Sequence, residues 1–486
     1  MSQTSLPRSA FIDPEGSNYD EIQKLAGQVL DLVLSAAAGA GARSPLPEPP
    51  DLSGIDDIPS SGAPWPAILE DLKAIISSSM NAAHPGYVGH MDSTPTTMSI
   101  LAGLVTSALN NNMLSVEMSP VFSRLEKLLM KQIARLFGLG ERATGVLLSG
   151  GTLANLQALT LARNMSFPCF ENGLSDMRGR PVVFASEAAH VSIQKAAMIT
   201  GLGKSAVISV AANSDSRMDP RRLSEEIRRA EQSGARPFCV VATAGTTTTG
   251  SVDPLLEVSK IAKERGLWFH VDAAYAGALI FSRRRRHKLA GIEAADSVTF
   301  NPQKWMYVAK TCAILLVSDE SVLQDGFRVG APYMGESPDL INLGEISVQG
   351  TRHADVLKLW LSLRHLGSLG YAQLIDRAFG LADYFTRRVK ERPFLEMTGT
   401  PQLNIVCFRA VPEQAAADRI DDCNARLQAF LLREGNTFLS LPLYRGNRWL
   451  RAVLLNPHTD EKTIDGVFDH IDAFISTYAD LDPADR

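Results

Sequence analysis

The sequence predicts an α/β protein with a large domain on a mostly parallel sheet and a smaller C-terminal α+β unit. From about residue 144 to 318, short apolar runs (GVLL, PVVF, AVISV, FCVVAT, WFHV, VTF, AILLV) alternate with segments of helical period such as Pro220–Gln232 and Pro254–Glu264. Strands joined through helices pair in parallel, carry helices on both faces, and bind ligands beyond their ends. Further on, a long helical stretch around Asp355–Leu366 continues after Gly367–Gly370. It leads to strand-like Asn404–Arg409, helical Ala415–Glu434, strand-like Trp449–Leu455 and helical Lys462–Tyr478. Finally, the run ending His270-Val271-Asp272 closes on an acid, and the next run leads into Asn301-Pro302-Gln303-Lys304-Trp305 with its lone lysine. A carboxylate and an amine are thereby expected at neighbouring strand ends, facing one pocket.

In chain order, the turn-like Asp13-Pro14-Glu15-Gly16 precedes Ile22, Leu25, Val29, Leu32, Val33 and Ala36, whose spacing predicts an amphipathic helix from about Tyr19 to Ala38. Such a helix cannot bury its own stripe, so it either clasps another subunit or lies on the large domain. Residues 39–65, rich in Gly, Pro and Ser, read as an extended connector, and a short helix follows from about Pro66 to Met80. The expected division is an N-terminal helical segment with its Pro-rich connector (1–85), a large domain (86–370) and a small C-terminal domain (371–486).

Composition narrows the function. With 48 basic and 53 acidic side chains the chain carries a formal charge of −5, which argues against nucleic acid or an anionic membrane as partner. The run Arg283–Arg286 reads as a solvated loop. Five scattered cysteines without a CxxC pair or Cys/His cluster indicate neither a disulfide framework nor a metal site. There is no basic-then-apolar leader, and no apolar run reaches the ~18 residues of a membrane span, so a cytoplasmic protein is expected.

A lysine amine and a carboxylate in one pocket are what pyridoxal phosphate (PLP) needs: the amine for a Schiff base, the anion to keep the pyridine nitrogen protonated. Lys304 and Asp272 are the candidates. HVDAAYAG followed by NPxKW resembles the group II PLP-dependent decarboxylases, the family of aromatic amino acid, glutamate and related decarboxylases, and the similarity runs from about His84 to Pro457. The resemblance implies fold type I, as in aspartate aminotransferase, and an obligate homodimer with active sites at the subunit interface. It also implies decarboxylation of a small amino acid substrate to its amine and CO2.

The resemblance carries over residue by residue. Ser149-Gly150-Gly151-Thr152, between a strand and a helix, has the chemistry of a phosphate seat, since glycines and a helix N-terminus bring N–H groups to an anion, although a Gly-Gly turn by itself is usually just a turn. In the family this turn holds the cofactor phosphate, which assigns Gly151 and Thr152, with Asn301 as another phosphate contact. His190 matches the histidine that lies flat against the pyridine ring. Thr247 matches the threonine near the Asp–pyridinium pair, and Ala274 the small residue beneath the ring. His84–Asp92 and Asn110–Pro120 resemble segments lining the substrate side, giving His90 and Asn112 as substrate contacts. Arg451 matches an arginine able to meet a substrate carboxylate.

The second substrate-side segment is closer to the glutamate branch. Yet Asp92 stands where a residue for a distal carboxylate is expected, and like charges ~4 Å apart repel by about 4 kcal/mol at intermediate dielectric. Two departures matter. Gln303 replaces the histidine that usually precedes the lysine, and is expected to hydrogen-bond the phosphate without titrating. The loop tyrosine that returns a proton to the substrate carbon is Ile341 when counted back from Gly350-Thr351-Arg352-His353, and Tyr333 when counted forward from Lys304. Without that tyrosine, oxidative production of an aldehyde is the alternative reaction. Residues ~328–347, with Gly330, Pro332, Gly335, Pro338 and Gly344, are expected to form a mobile lid.

Overall fold

Strands made of continuous rather than alternating apolar residues belong in a sheet covered on both faces, and the central strands are buried accordingly. The computed structural model describes residues 6–49, 58–175, 177–335, 341–413 and 416–479. Its large sheet comprises β1 (Thr144–Leu148), β2 (Pro181–Ser186), β3 (Val207–Val210), β4 (Arg236–Thr243), β5 (Trp268–Asp272), β6 (Ser297–Phe300) and β7 (Ala313–Val317). The spatial order is β1-β7-β6-β5-β4-β2-β3. Strands β2 to β6 pair in parallel, while β7 runs antiparallel to both β1 and β6. The link from β6 to β7 contains no helix, and without a helical crossover the chain can only turn back. That link carries Lys304.

The helices are α1 (Tyr19–Ala38), α2 (Trp65–Ser78), α3 (Thr97–Leu109), α4 (Pro120–Leu136), α5 (Gly151–Ser166), α6 (Ser192–Ile199), α7 (Pro220–Gln232), α8 (Leu255–Glu264), α9 (Ser321–Phe327), α10 (Val356–Lys390), α11 (Ile420–Arg433) and α12 (Glu461–Ala479). Helix α5 lies against the sheet and buries Ala154, Asn155, Ala158 and Leu161. Helices α1 and α2 are tied by Trp65 Nε1 donating to Gln28 Oε1 (2.7 Å) and bury no residue fully, so Leu30, Val33 and Leu34 remain exposed. The expected start of α11 at Ala415, like residues 50–57 of the connector, lies outside the described residues.

A second core surrounds the antiparallel sheet of β8 (Leu395–Met397), β9 (Ile405–Ala410) and β12 (Leu450–Val453), in the order β12-β9-β8. The small strands β10 (Leu443–Tyr444) and β11 (Asn447–Arg448) form a hairpin beside it. Helix α10 spans both cores: Val356–Phe379 pack into the large one and Leu381–Val389 into the small one, with a non-helical break at Gly367 (φ 61°, ψ 176°). The segment around Val88 joins the small core. Phe438 N–H donates to Gly86 O (2.9 Å), Val88 N–H to Phe438 O (3.2 Å) and Val453 N–H to Val88 O (2.6 Å). Among the described residues, no helix is long and apolar enough to cross a membrane.

Candidate active site

Because β1 and β6 both run antiparallel to β7, the C-terminal ends of β1, β2, β4, β5 and β6 lie on one side of the sheet. Asp272 ends β5 and is buried. Its carboxylate accepts from Asn155 Nδ2 (2.8 Å) and from the Ala274 N–H (3.1 Å), which fixes the side chain without a cationic partner. Lys304 follows β6 in a turn closed by its own N–H to Asn301 O (3.0 Å). Its Nζ lies 3.9 Å from Met91 Sδ, and among the described residues it forms no ion pair. Burial lowers the pKa of this amine, against the opposing fields of Asp272 and Asp92. Gln303 is spent otherwise than expected: its Oε1 accepts from Cys312 N–H (2.7 Å) and pins the start of β7.

Helix α5 begins at Gly151 directly after β1, and no side chain caps it. An added Cβ at Gly151 would lie 2.7 Å from Asn301 Nδ2, so the glycine is what lets the Asn301 amide close on the helix end. Asn301 Oδ1 is buried without a hydrogen-bond partner among the described residues. Thr152, in the first turn, is exposed on the same open side.

His190 follows β2 and is exposed at the cleft, while its Nδ1 is enclosed by Ser192 Oγ (2.9 Å) and Ser192 N–H (3.2 Å). Desolvation lowers its pKa. Asp272 opposes the shift, and Lys304 and Lys195 reinforce it. Ser192 in turn is bonded by Asn155 Nδ2 (2.8 Å), the amide that also reaches Asp272. Neither Asn155 nor Ser192 stands out in the sequence. The available signal was an amide one turn beyond Gly151 on the apolar face of the helix, which must be satisfied by something if buried.

On the other side of Lys304, Arg451 leaves β12 and is buried beside His90. Its Nε donates to Ser440 Oγ (2.9 Å), Nη1 to Thr247 O, and Nη2 to Gly89 O (3.0 Å) and His90 Nδ1 (3.1 Å). The guanidinium thus meets carbonyls and an imidazole rather than a carboxylate. Thr247 contributes its carbonyl, its side chain being exposed; the buried hydroxyl of this turn belongs to Thr246, bonded to Thr249 Oγ1 (2.9 Å). Asp92 pairs with Lys310 (2.5 Å), which sets a cation against the carboxylate on which the objection to an acidic substrate rested.

Asn112 and Tyr333 are not gathered with these residues. Asn112 bonds Thr351 Oγ1 (3.2 Å) and the Leu114 N–H (3.0 Å), and Tyr333 is 73% exposed on its loop. Ile341 packs on the large core. The expected lid is anchored over its second half. Val116 N–H donates to Asn342 Oδ1 (2.9 Å), Gly344 N–H to Leu114 O (3.0 Å), and buried Glu345 pairs with Arg328 (2.7 Å). Residues 336–340 lie outside the described part.

A mostly parallel sheet of this order, with a small antiparallel domain after a long helix, is the fold of type I PLP enzymes. The Pyridoxal-dependent decarboxylase conserved domain matches residues 52–411, so the chain belongs to the pyridoxal-dependent decarboxylase family. It is a PLP-dependent carboxy-lyase. Among solved structures, apo mouse CSAD is 30% identical with a TM-score of 0.88, covering 93% of this chain and 98% of that one. Oryza sativa TDC with PLP and tryptamine is 23% identical (TM-score 0.90; 96% and 100% covered). Rhodiola rosea 4-hydroxyphenylacetaldehyde synthase is 22% identical (TM-score 0.85; 94% and 98% covered). At these identities the last two show a shared fold alone.

Proposed function

We propose that the enzyme decarboxylates an L-amino acid to its amine, with Lys304 binding the cofactor aldehyde and Asp272 meeting the ring nitrogen. The observation that carries this reading is Lys304 itself, an enclosed amine of lowered pKa and no ion-pair partner, near a carboxylate fixed by two donors. The residues present fit PLP: the uncapped start of α5, Gly151 and Thr152 suit its phosphate, and the Asn301 side-chain NH2 beside Gly151 can donate to it. Bound there, PLP supplies an electron sink for the bond that breaks at the substrate Cα.

The chain supplies the rest. Burial shifts Lys304 towards its neutral amine, the form that bonds an aldehyde. Asp272 keeps a proton on the ring nitrogen, His190 covers one ring face and Ala274 leaves room on the other. Arg451, with His90, offers a buried cation to the substrate carboxylate, and Asn112, tied to Thr351, is assigned to the substrate side, which requires a second subunit to complete the cleft there. Tyr333 is assigned the return of the proton to the substrate carbon, which requires its loop or a second subunit to bring it to the cleft. A homodimer with the site at its interface is supported by the uncovered apolar stripe of α1. A cytoplasmic setting is supported by five buried cysteines, none of them in a disulfide.

A second reading, oxidative release of an aldehyde, is favoured by Ile341, an apolar side chain at one of the two positions where the proton-returning tyrosine is expected. Incubating the protein with a panel of L-amino acids while following CO2, amine, aldehyde and peroxide separates the two. Amine with CO2, lost in Lys304→Ala, is the expected outcome. Unchanged turnover in Lys304→Ala removes the assignment, and aldehyde with peroxide from the parent selects the second reading.

A further inference from the structure

We infer that Asn155 is a positioning residue whose single side-chain amide orients the Asp272 carboxylate and, through the Ser192 hydroxyl, holds His190 with its proton on Nε2. The inference rests on the reading that Asp272 and His190 face the cofactor. Asn155 is 1% exposed and makes four side-chain hydrogen bonds. Its Nδ2 donates to Asp272 Oδ2 and Ser192 Oγ, both at 2.8 Å, and its Oδ1 accepts from Thr299 Oγ1 (2.7 Å) and His270 Nε2 (3.1 Å). The amide cannot be turned round, because its oxygen would then face an ionised carboxylate that only accepts.

Each neighbour is determined in turn. His270 must carry its proton on Nε2 to donate to Asn155, so its Nδ1 accepts from the Ser297 hydroxyl (2.8 Å), which itself accepts from Trp268 Nε1 (2.9 Å). On the other arm, Ser192 Oγ accepts from Asn155 and is left with its hydrogen for His190 Nδ1. The Ser192 N–H points at the same nitrogen. Two donors on Nδ1 leave the ring proton on Nε2 and oppose a second proton. Ser192, His270 and Thr299 are buried, so water cannot make good a lost bond. The charges acting on His190 are Asp272 from β5, Lys304 from the link after β6, and Lys195 on α6. None of these is removed with Asn155.

The test is a double-mutant cycle of Asn155→Ala and Ser192→Ala with two readouts. In the cofactor-free protein, the ¹⁵N shifts of His190, identified by their loss in His190→Gln, report its tautomer and titration midpoint. PLP affinity is measured separately by spectroscopic titration. The parent is expected to show neutral His190 with the Nε2–H tautomer. Either single variant should move the midpoint to higher pH, and in the Ser192→Ala background Asn155→Ala should add no further shift. PLP affinity should fall about tenfold in Asn155→Ala, the scale of a lost hydrogen bond to a charged group, in either background, and change little in Ser192→Ala alone. An Nδ1–H tautomer in the parent, or a midpoint left in place by Asn155→Ala, overturns the inference. Additive midpoint shifts also overturn it. If Asn155→Ala does not fold, Ser192→Ala decides, since an unmoved midpoint there removes the relay. Should Asp272→Asn leave PLP affinity and turnover intact, the assignment of Asp272 to the cofactor fails, while the His190 titration still tests the relay.

Discussion

Replacing Gly151 by Ala should separate cofactor affinity from stability. The new Cβ would lie 2.7 Å from Asn301 Nδ2 and 3.2 Å from Asn301 Oδ1. The closer of these is ~0.8 Å inside an optimal contact of ~3.5 Å. Asn301 is buried at the end of β6, so the amide has to swing away from the start of α5. Alanine favours a helix over glycine by up to ~1 kcal/mol, which offsets part of the strain in the cofactor-free protein. The melting temperature without PLP should therefore stay within a few degrees of the parent, as ~1 kcal/mol shifts a domain of this size by a few degrees at most. Cofactor affinity has no such compensation. Losing one hydrogen bond to a charged phosphate costs ~1.5–3 kcal/mol, or roughly 10- to 150-fold in Kd. Spectroscopic titration of the apo protein with PLP measures the second effect and a thermal scan the first. Affinity within twofold of the parent would refute the placement of the phosphate between Gly151 and Asn301.

Asp272→Asn should lower turnover by orders of magnitude, because an amide no longer keeps the ring nitrogen protonated; steady-state rates within a few-fold of the parent would count against that role. Glu126→Gln should destabilise the protein by about 3–5 kcal/mol in denaturant unfolding. Glu126 accepts both Arg352 nitrogens (2.9 and 2.6 Å) and the Leu147 N–H (3.0 Å) with no exposure, so Gln leaves a buried cation uncompensated. His270, buried and neutral, has its pKa depressed by desolvation from the ordinary 6.5 to about 4, so the unfolded chain binds the proton first. Its stabilising contribution is whole above pH 6.5 and is lost as pH falls towards 4, about 3 kcal/mol in all. Chemical unfolding across that window should show a shallower fall in His270→Gln, and an identical fall would remove His270 as its source.

The strands were legible because a sheet covered on both faces needs unbroken apolar runs, and GVLL, PVVF, FCVVAT and WFHV are that pattern. The placing of Asp272 at a strand end and of Lys304 in the link after the next strand was legible from the apolar runs, while their reading as cofactor residues came from the resemblance of HVDAAYAG and NPxKW. The reversal of β7 was not, since an apolar run carries no direction and only the missing helix after Lys304 betrays it. The anchoring of residues 341–347 was hidden as well: Gly and Pro content speaks for irregular backbone, but Asn342 and Glu345 tie that backbone down through partners at Val116 and Arg328. Asn155 was missed for a related reason, because an amide gains meaning only from what surrounds it. His190 could be named only through a family motif, and both bonds on its Nδ1 come from Ser192 on α6, held in turn by Asn155 on α5.

The meeting of His90 and Arg451 shows how the site depends on both cores at once. His90 follows the segment that pairs with Phe438 and Val453, so it travels with the small core, as does Arg451 on β12. Asp272 ends a strand of the large sheet, and Lys304 lies in the link between two of its strands. The guanidinium itself bridges them: Arg451 donates to the Thr247 carbonyl after β4 while holding Gly89 and Ser440 on its own side. Arg451 therefore ties the two halves together, quite apart from the substrate role proposed for it. An arginine in this position is explained by geometry before any substrate is considered, since three nitrogens on four differently placed acceptors use the fork that lysine lacks. It follows that the presence of Arg451 says little about the substrate side chain. Selectivity has to come from residues not already committed to holding the halves together, and the Asp92–Lys310 pair beside His90, partly exposed and self-neutralising, is where a charged side chain could exchange one partner for another.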